Sequence, residues 1–187
     1  MRVIAGQYRS RPLRSLRGID VRPTSDKLRE TLFNVLTAGN QSALEGTVWF
    51  DLYAGTGAVG IEALSRGARM VYFVESSRQA SESVRQNLRS LEISTGIRVM
   101  QLDALTALHR LEAENAAGDF FFLDPPYRMR KSYGETLEFL AQSRLLRPTS
   151  IVIAEHEHRF DPGDVFGSLH RHRKLEQGDA ALSFYRM

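Results

Sequence analysis

DLYAGTGAVG, residues 51–60, carries Gly55-x-Gly57-x-x-Gly60 directly after the apolar run VWFDL. A strand that breaks into such a loop and then into a helix is the ligand-binding start of a doubly wound α/β sheet. Glycine lets the backbone approach an adenosine cofactor closely at a helix N-terminus. Glu75 lies twenty residues beyond Gly55, about where a dinucleotide-binding fold places its ribose-binding acid. The glycines suit more than one adenosine cofactor, so the loop by itself leaves the choice open.

Outward from the loop, strand and helix patterns alternate. VWFDL (48–52) reads as a buried strand; the helix after the loop turns Ile61 and Leu64 inward, with Gly67 at its C-terminal end. MVYFVE (70–75) is the next strand, followed by a helix over 78–91 with Ala80, Val84, Leu88 and Leu91 on one stripe. IRVMQLD (97–103) leads to a helix marked by Leu105, Leu108 and Leu111, and DFFFLD (119–124) to one over about 132–145. SIVIAE (150–155) is a fifth strand, and LHRHRKL and ALSFYR form a closing antiparallel pair joined near Gly178. Upstream, RPTSDKLRETLFNVLTAG predicts a helix begun by Pro23, Thr24, Ser25 and Asp26. Leu28, Leu32, Val35 and Leu36 form its apolar face, and Gly39 ends it. RVIAG and RSRPLRSL read as a short exposed hairpin. The expected class is α/β and Rossmann-like: a mostly parallel, doubly wound, seven-stranded sheet with C-terminal antiparallel strands and a small N-terminal β-hairpin. Residues 1–22 form the arm and 23–187 the domain.

The length of 187 residues fits one globular domain, and 42% hydrophobic with 25% charged residues argues against disorder. There is no cysteine, which excludes disulfides, a thiol nucleophile and thiolate metal sites, and suits the cytoplasm. The start is charged from Arg2, so no signal peptide is expected, and no apolar run approaches a membrane span. The net charge of +3 is uneven. Arg2, Arg9, Arg11, Arg14, Arg17 and Arg22 face only Asp20 in the first 22 residues, placing +5 there and −2 in the remainder. A basic arm on an otherwise acidic chain suits a polyanion such as nucleic acid.

In an open α/β sheet the ligand binds beyond the carboxyl ends of the strands. Those ends carry Asp51, Glu75, Asp103 and Asp124. An acid at the mouth of the glycine loop repels a pyrophosphate, whereas the sulfonium and ammonium of S-adenosylmethionine are cationic and its ribose diol binds an acid. The acidic rim therefore favours S-adenosylmethionine over a nicotinamide dinucleotide. FFFLDPPYRMR adds the reaction. Pro125 and Pro126 provide no N–H, so the turn offers only acceptors, with the Asp124 carboxylate among them, and Tyr127 offers a ring on which a base stacks. An exocyclic amino group needs its hydrogens held so that its delocalised lone pair turns toward the methyl carbon.

DLYAGTGAVGIEALSRGA, FFFLDPPY and RPTSDKLRETLFNVL together resemble the bacterial 16S ribosomal RNA guanine-N2 methyltransferase family, of the class I S-adenosylmethionine-dependent fold. The similarity runs from the basic hairpin to the final LSFYR. It implies methyl transfer from S-adenosylmethionine, leaving S-adenosylhomocysteine, to the N2 amino group of one guanine in 16S rRNA of the assembled or assembling small subunit. By the same resemblance Asp51, Gly55 and Gly57 hold the methionyl part of the cofactor, Glu75 binds its ribose and Asp103 faces its adenine. Asp124, Pro125, Pro126 and Tyr127 form the catalytic turn, with Asp124 also at the cofactor, and Thr24 lies near the cofactor's amino-acid end. The arm residues Arg9, Arg11 and Arg14, with Arg128, Arg130 and Lys131, are then given phosphates to contact. A monomer is expected. Ser10 departs from the pattern, standing where the family's hairpin is expected to have glycine.

DPPY alone is shared with DNA adenine-N6 and cytosine-N4 enzymes, but 187 residues leave little room for a separate target-recognition domain. A non-catalytic assembly factor would not need an intact DPPY and a full acidic rim. A nicotinamide oxidoreductase ranks last, since no acid–base pair or substrate domain accompanies the loop. His156-x-His158 and His170-x-His172 lack a third ligand and read as strand alternation or surface, so no metal is expected.

Overall fold

The computed structural model describes residues 1–15, 24–126 and 128–187. Arg17, Asp20, Arg22, Pro23 and Tyr127 lie outside the described residues.

β1 (Val48–Leu52) is buried along its whole length, as a near-continuous apolar run requires of a central parallel strand. It pairs in parallel with β2 (Met70–Val74), which pairs with β3 (Ile97–Met100). On its other side lies β4 (Gly118–Leu123), parallel to it and to β5 (Leu146–Glu157). Antiparallel strands then extend the sheet: β8 (Ala180–Arg186) beside β5, β7 (Leu169–Gln177) beside β8, and β6 (Val165–Phe166) at the edge. The order is β3-β2-β1-β4-β5-β8-β7-β6. The described sheet thus has eight strands where seven were expected. The addition is β6, two residues long and too short to leave a period in the sequence.

Among the described residues five helices cover the faces: α1 (Asp26–Leu36), α2 (Ala58–Ser65), α3 (Arg78–Ser90), α4 (Ala104–Ala113) and α5 (Lys131–Gln142). Alternate strand residues feed two cores. Trp49, Phe73 and Phe122 meet α1, α2 and α3 through Phe33, Ile61 and Val84. Phe50, Val74 and Leu123 meet α4 and α5 through Leu108, Leu111, Leu137 and Leu140. The inner face of α1 is Leu28, Arg29, Leu32 and Phe33, while Val35 and Leu36 are only half-buried. Phe33 turns inward because it stacks on Trp49, with ring centroids 5.3 Å apart, and Trp49 stacks in turn on Phe120.

The first fifteen residues are docked onto the sheet domain. The Arg2–Pro12 bridge closes the hairpin, and Val3 and Leu13 are buried in the first core. Glu62 of α2, itself fully buried, accepts the N–H groups of Ile4 (2.7 Å) and Ala5 (3.0 Å). Gly6 has φ +81°, and a Cβ there would sit 1.8 Å from the Ser65 carbonyl oxygen, so only glycine fits. Ser10 has φ +67°, which gives a backbone reason for glycine at that position in the expected family pattern.

Candidate active site

The chain runs outward from β1 to β3, then returns to the other side of β1 as β4. Strand order therefore reverses between β1 and β4, and their carboxyl ends leave a crevice. A cavity of about 430 Å³ opens there, within the range of pockets that take small organic ligands. Its wall comes from the glycine loop, the segments after β2 and β3, the turn after β4, the first turn of α5, and Thr24 ahead of α1.

The three glycines have three different jobs. Gly55 has φ +57°, and a Cβ there would meet no atom within 4 Å, so its bare backbone faces open space. Gly57 caps α2 at φ +79° and lies close to Val84 and Phe73. Gly60 needs no special φ, but a Cβ on it would lie 2.4 Å from the Phe73 ring and 2.8 Å from Val71, so it sets how closely α2 packs on β2. Beyond β2, Glu75 binds this loop: Oε2 accepts the Gly55 N–H at 2.9 Å and Oε1 the Ser77 N–H at 2.7 Å.

Asp51 is buried at the end of β1, and its Oδ2 accepts the Gly60 N–H at 2.9 Å. Burial pushes its carboxyl up to about 8; the Gly60 bond opposes this, and nearby Glu75 adds to it. Asp124, just past β4, is held well above the usual carboxylate range, first by burial and then by the charges of Glu155 and Asp51. Two carboxyl groups in this condition gain most from a cationic ligand, and they disfavour a pyrophosphate. Asp103 differs. It lies three residues past β3 as the N-cap of α4, and its Oδ1 accepts the Thr106 N–H at 2.9 Å. That bond holds its carboxyl below the usual range, so it presents a stable anion to the cavity.

Pro125 and Pro126 line the cavity beside Asp124, and Arg128 and Met129 continue the wall from the same turn. Thr24 is also in the wall, and its hydroxyl donates to Glu155 Oε2 at 2.7 Å. The structure thus brings Thr24, Asp51, Gly55, Glu75, Asp103, Asp124 and both prolines to one cavity. Gly57 supports it from behind as the cap of α2.

The six expected RNA contacts are exposed on two segments. In the arm, Arg11 donates to the Ser90 carbonyl (3.1 Å) and Arg14 to Gln86 Oε1 (3.1 Å), while Arg9 is exposed at the hairpin turn. At the mouth of the cavity Arg128 and Lys131 are exposed, and Arg130 pairs with Glu157 (3.0 Å) over the Phe160 ring. The histidines do not converge: among the described residues no three metal-ligating side chains come together. His156 is buried, with one ring nitrogen on Ser183 Oγ and the other on the Glu157 carbonyl, and burial lowers its pKa.

Three further residues shape the site and its surroundings. Glu155 lies near the end of β5, in register with the acid that follows β4, and its place at the close of SIVIAE was a usable signal. Glu62, which anchors the arm, looks like any helical glutamate. Tyr53 leaves β1 at φ +66° with its hydroxyl 3.2 Å from Thr136 Oγ1 and lines the cavity; nothing local marks it.

Comparison with known proteins places this geometry in a wider group. The family model described as "Conserved hypothetical protein 95" matches residues 1–186. The Bacillus subtilis protein named "Putative rRNA methyltransferase YlbH" is 33% identical over 186 residues, covering 100% of this chain and 98% of that one. "Ribosomal RNA small subunit methyltransferase D" of Escherichia coli K12 is 31% identical over 185 residues, covering 99% of this chain and 89% of the relative. The solved structure of the Escherichia coli "Putative methyltransferase yhhF" superposes with a TM-score of 0.83 at 30% identity, covering 100% of this chain and 97% of that one.

Proposed function

The chain belongs to the family described as Conserved hypothetical protein 95, and on that premise we propose that it methylates the N2 amino group of a guanine in 16S rRNA of the small ribosomal subunit. Methylation of rRNA as such follows from its relatives, two of which are named for that activity. The cofactor is S-adenosylmethionine. The observation that carries the finer reading is Asp124 followed by two prolines, set in the same cavity wall as the buried Asp51 and the loop-bound Glu75.

S-adenosylmethionine, when bound, supplies a methyl group on a sulfonium that leaves as a neutral thioether. Gly55 gives it backbone access, Glu75 stands for the ribose, and Asp103 faces the adenine. Asp51 provides negative charge for the cationic end. Asp124 accepts a hydrogen bond from the exocyclic amino group of the target base, as does a carbonyl of the proline turn. This fixes the lone pair along the line of attack, and the partly desolvated surroundings of the half-buried Asp124 strengthen the contact. Asp124 is also the nearest acceptor for the proton the methylated nitrogen must lose. Tyr127 is assigned the stacking role, and the base reaches it by leaving its own stack. Arg128, Arg130, Lys131 and the arm arginines take phosphates.

Asp124→Ala is expected to lower labelled-methyl transfer by at least about a hundredfold while S-adenosylhomocysteine binding stays measurable by calorimetry. Full transfer by that variant would remove Asp124 from the reaction.

A further inference from the structure

Near the end of β5 stands Glu155, a carboxylate that takes no part in the reaction proposed above. In the parallel register Leu123 pairs with Ala154, so Asp124, just past β4, and Glu155, still within β5, lie side by side one residue further on. Glu155 also sits opposite Leu182 of β8, a residue of the core under α1, α2 and α3. Its side chain thus turns toward the segment ahead of α1, where the Thr24 hydroxyl reaches it. Both residues are buried. The Glu155 carbonyl accepts the Tyr133 hydroxyl at 2.7 Å, which pins the strand end to α5. Thr24, not Glu155, faces the cavity.

We propose that Glu155 is a positioning residue: from behind the cavity wall it fixes Thr24 in place and sets its own charge against Asp124. One side chain then links the cofactor-facing surface to the catalytic carboxylate without touching a reacting group. The inference rests on Asp124 acting as proposed above. The groups around Asp124 are Asp51 from β1, with Glu75 of the β2 end beside it, Glu155 from β5, Tyr133 of α5 on the Glu155 carbonyl, and Arg128 beyond the turn. Of these, Glu155 is the larger of the two charges that push the Asp124 carboxyl up, after burial itself.

Glu155→Gln keeps the shape and an acceptor for Thr24 but removes the charge. It is expected to move the acid limb of kcat to lower pH by about one unit, because Asp124 then ionises more readily. Carboxyl-carbon NMR of the ligand-free protein is expected to show the same displacement in the titration of Asp124, independently of turnover. Thr24→Val is expected to raise KM for S-adenosylmethionine several-fold with the acid limb where the wild type has it, and Thr24→Ser to restore KM. An acid limb and Asp124 titration unmoved in Glu155→Gln, or a KM unmoved in Thr24→Val, overturns the inference. Asp124→Asn separates the two levels. If it is inactive while Glu155→Gln titrates as wild type, only the role of Glu155 falls; if it is fully active, the reading of Asp124 falls first.

Discussion

Asp51 combines deep burial with a hydrogen bond from the Gly60 peptide N–H, and burial outweighs that bond, pushing its carboxyl up to about 8 from the ordinary 3.8. In the ligand-free protein the folded state keeps that proton to higher pH than the unfolded chain does. The contribution to stability is therefore complete below about 3.8 and is lost as pH rises through about 8. Melting temperature is expected to fall between about pH 5 and pH 8, less steeply in Asp51→Asn and less steeply with saturating S-adenosylmethionine, whose positive charge favours the carboxylate. An identical slope in wild type, variant and complex would contradict the electrostatic reading of the rim. At this scale the sequence was informative about residue type and silent about partners. Asp51, Glu75 and Asp124 were recognisable because strand ends are recognisable. Glu155 closes an equally legible run, but its partner Thr24 lies 131 residues away and no local pattern links the two; Asp103 was placed on a strand when it caps a helix.

The glycine loop shows why elements were easier to read than their edges. β1 and β4 are apolar runs soon broken by glycine or proline, so pattern and punctuation agree. β6 has two residues and no period, and β5 begins at Leu146, through a register shift against β4 that no local pattern marks. The helix α2 is set on β2 by Gly60 and opened to the ligand by Gly55, and substitutions separate these roles. Gly60→Ala drives a methyl into Phe73 and Val71 and is expected to cost about 1–3 kcal/mol in urea unfolding. Gly55→Ala adds a methyl to open space at φ +57°. It is expected to cost only about 1 kcal/mol in stability but to weaken S-adenosylhomocysteine binding at least about tenfold. Equal stability losses with unchanged binding would mean that the loop serves packing alone.

Across the whole molecule, the basic arm and the cavity belong to one body. The arm's described residues are fastened to α2 by Glu62 and Ser65, so its arginines are presented on a fixed surface alongside α3. Replacing Arg9, Arg11 and Arg14 with Gln is expected to weaken binding to small subunits and to flatten its dependence on salt, with up to about one unit of slope lost per phosphate contact. A salt titration indistinguishable from wild type would remove the arm from the RNA surface. The most direct measurement of the central claim offers labelled S-adenosylmethionine with small ribosomal subunits, naked 16S rRNA and DNA, and maps the modified base. The account predicts label as N2-methylguanine at one position of 16S rRNA, absent with Asp124→Ala. Label on another base, on DNA, or on guanine regardless of Asp124 would contradict it.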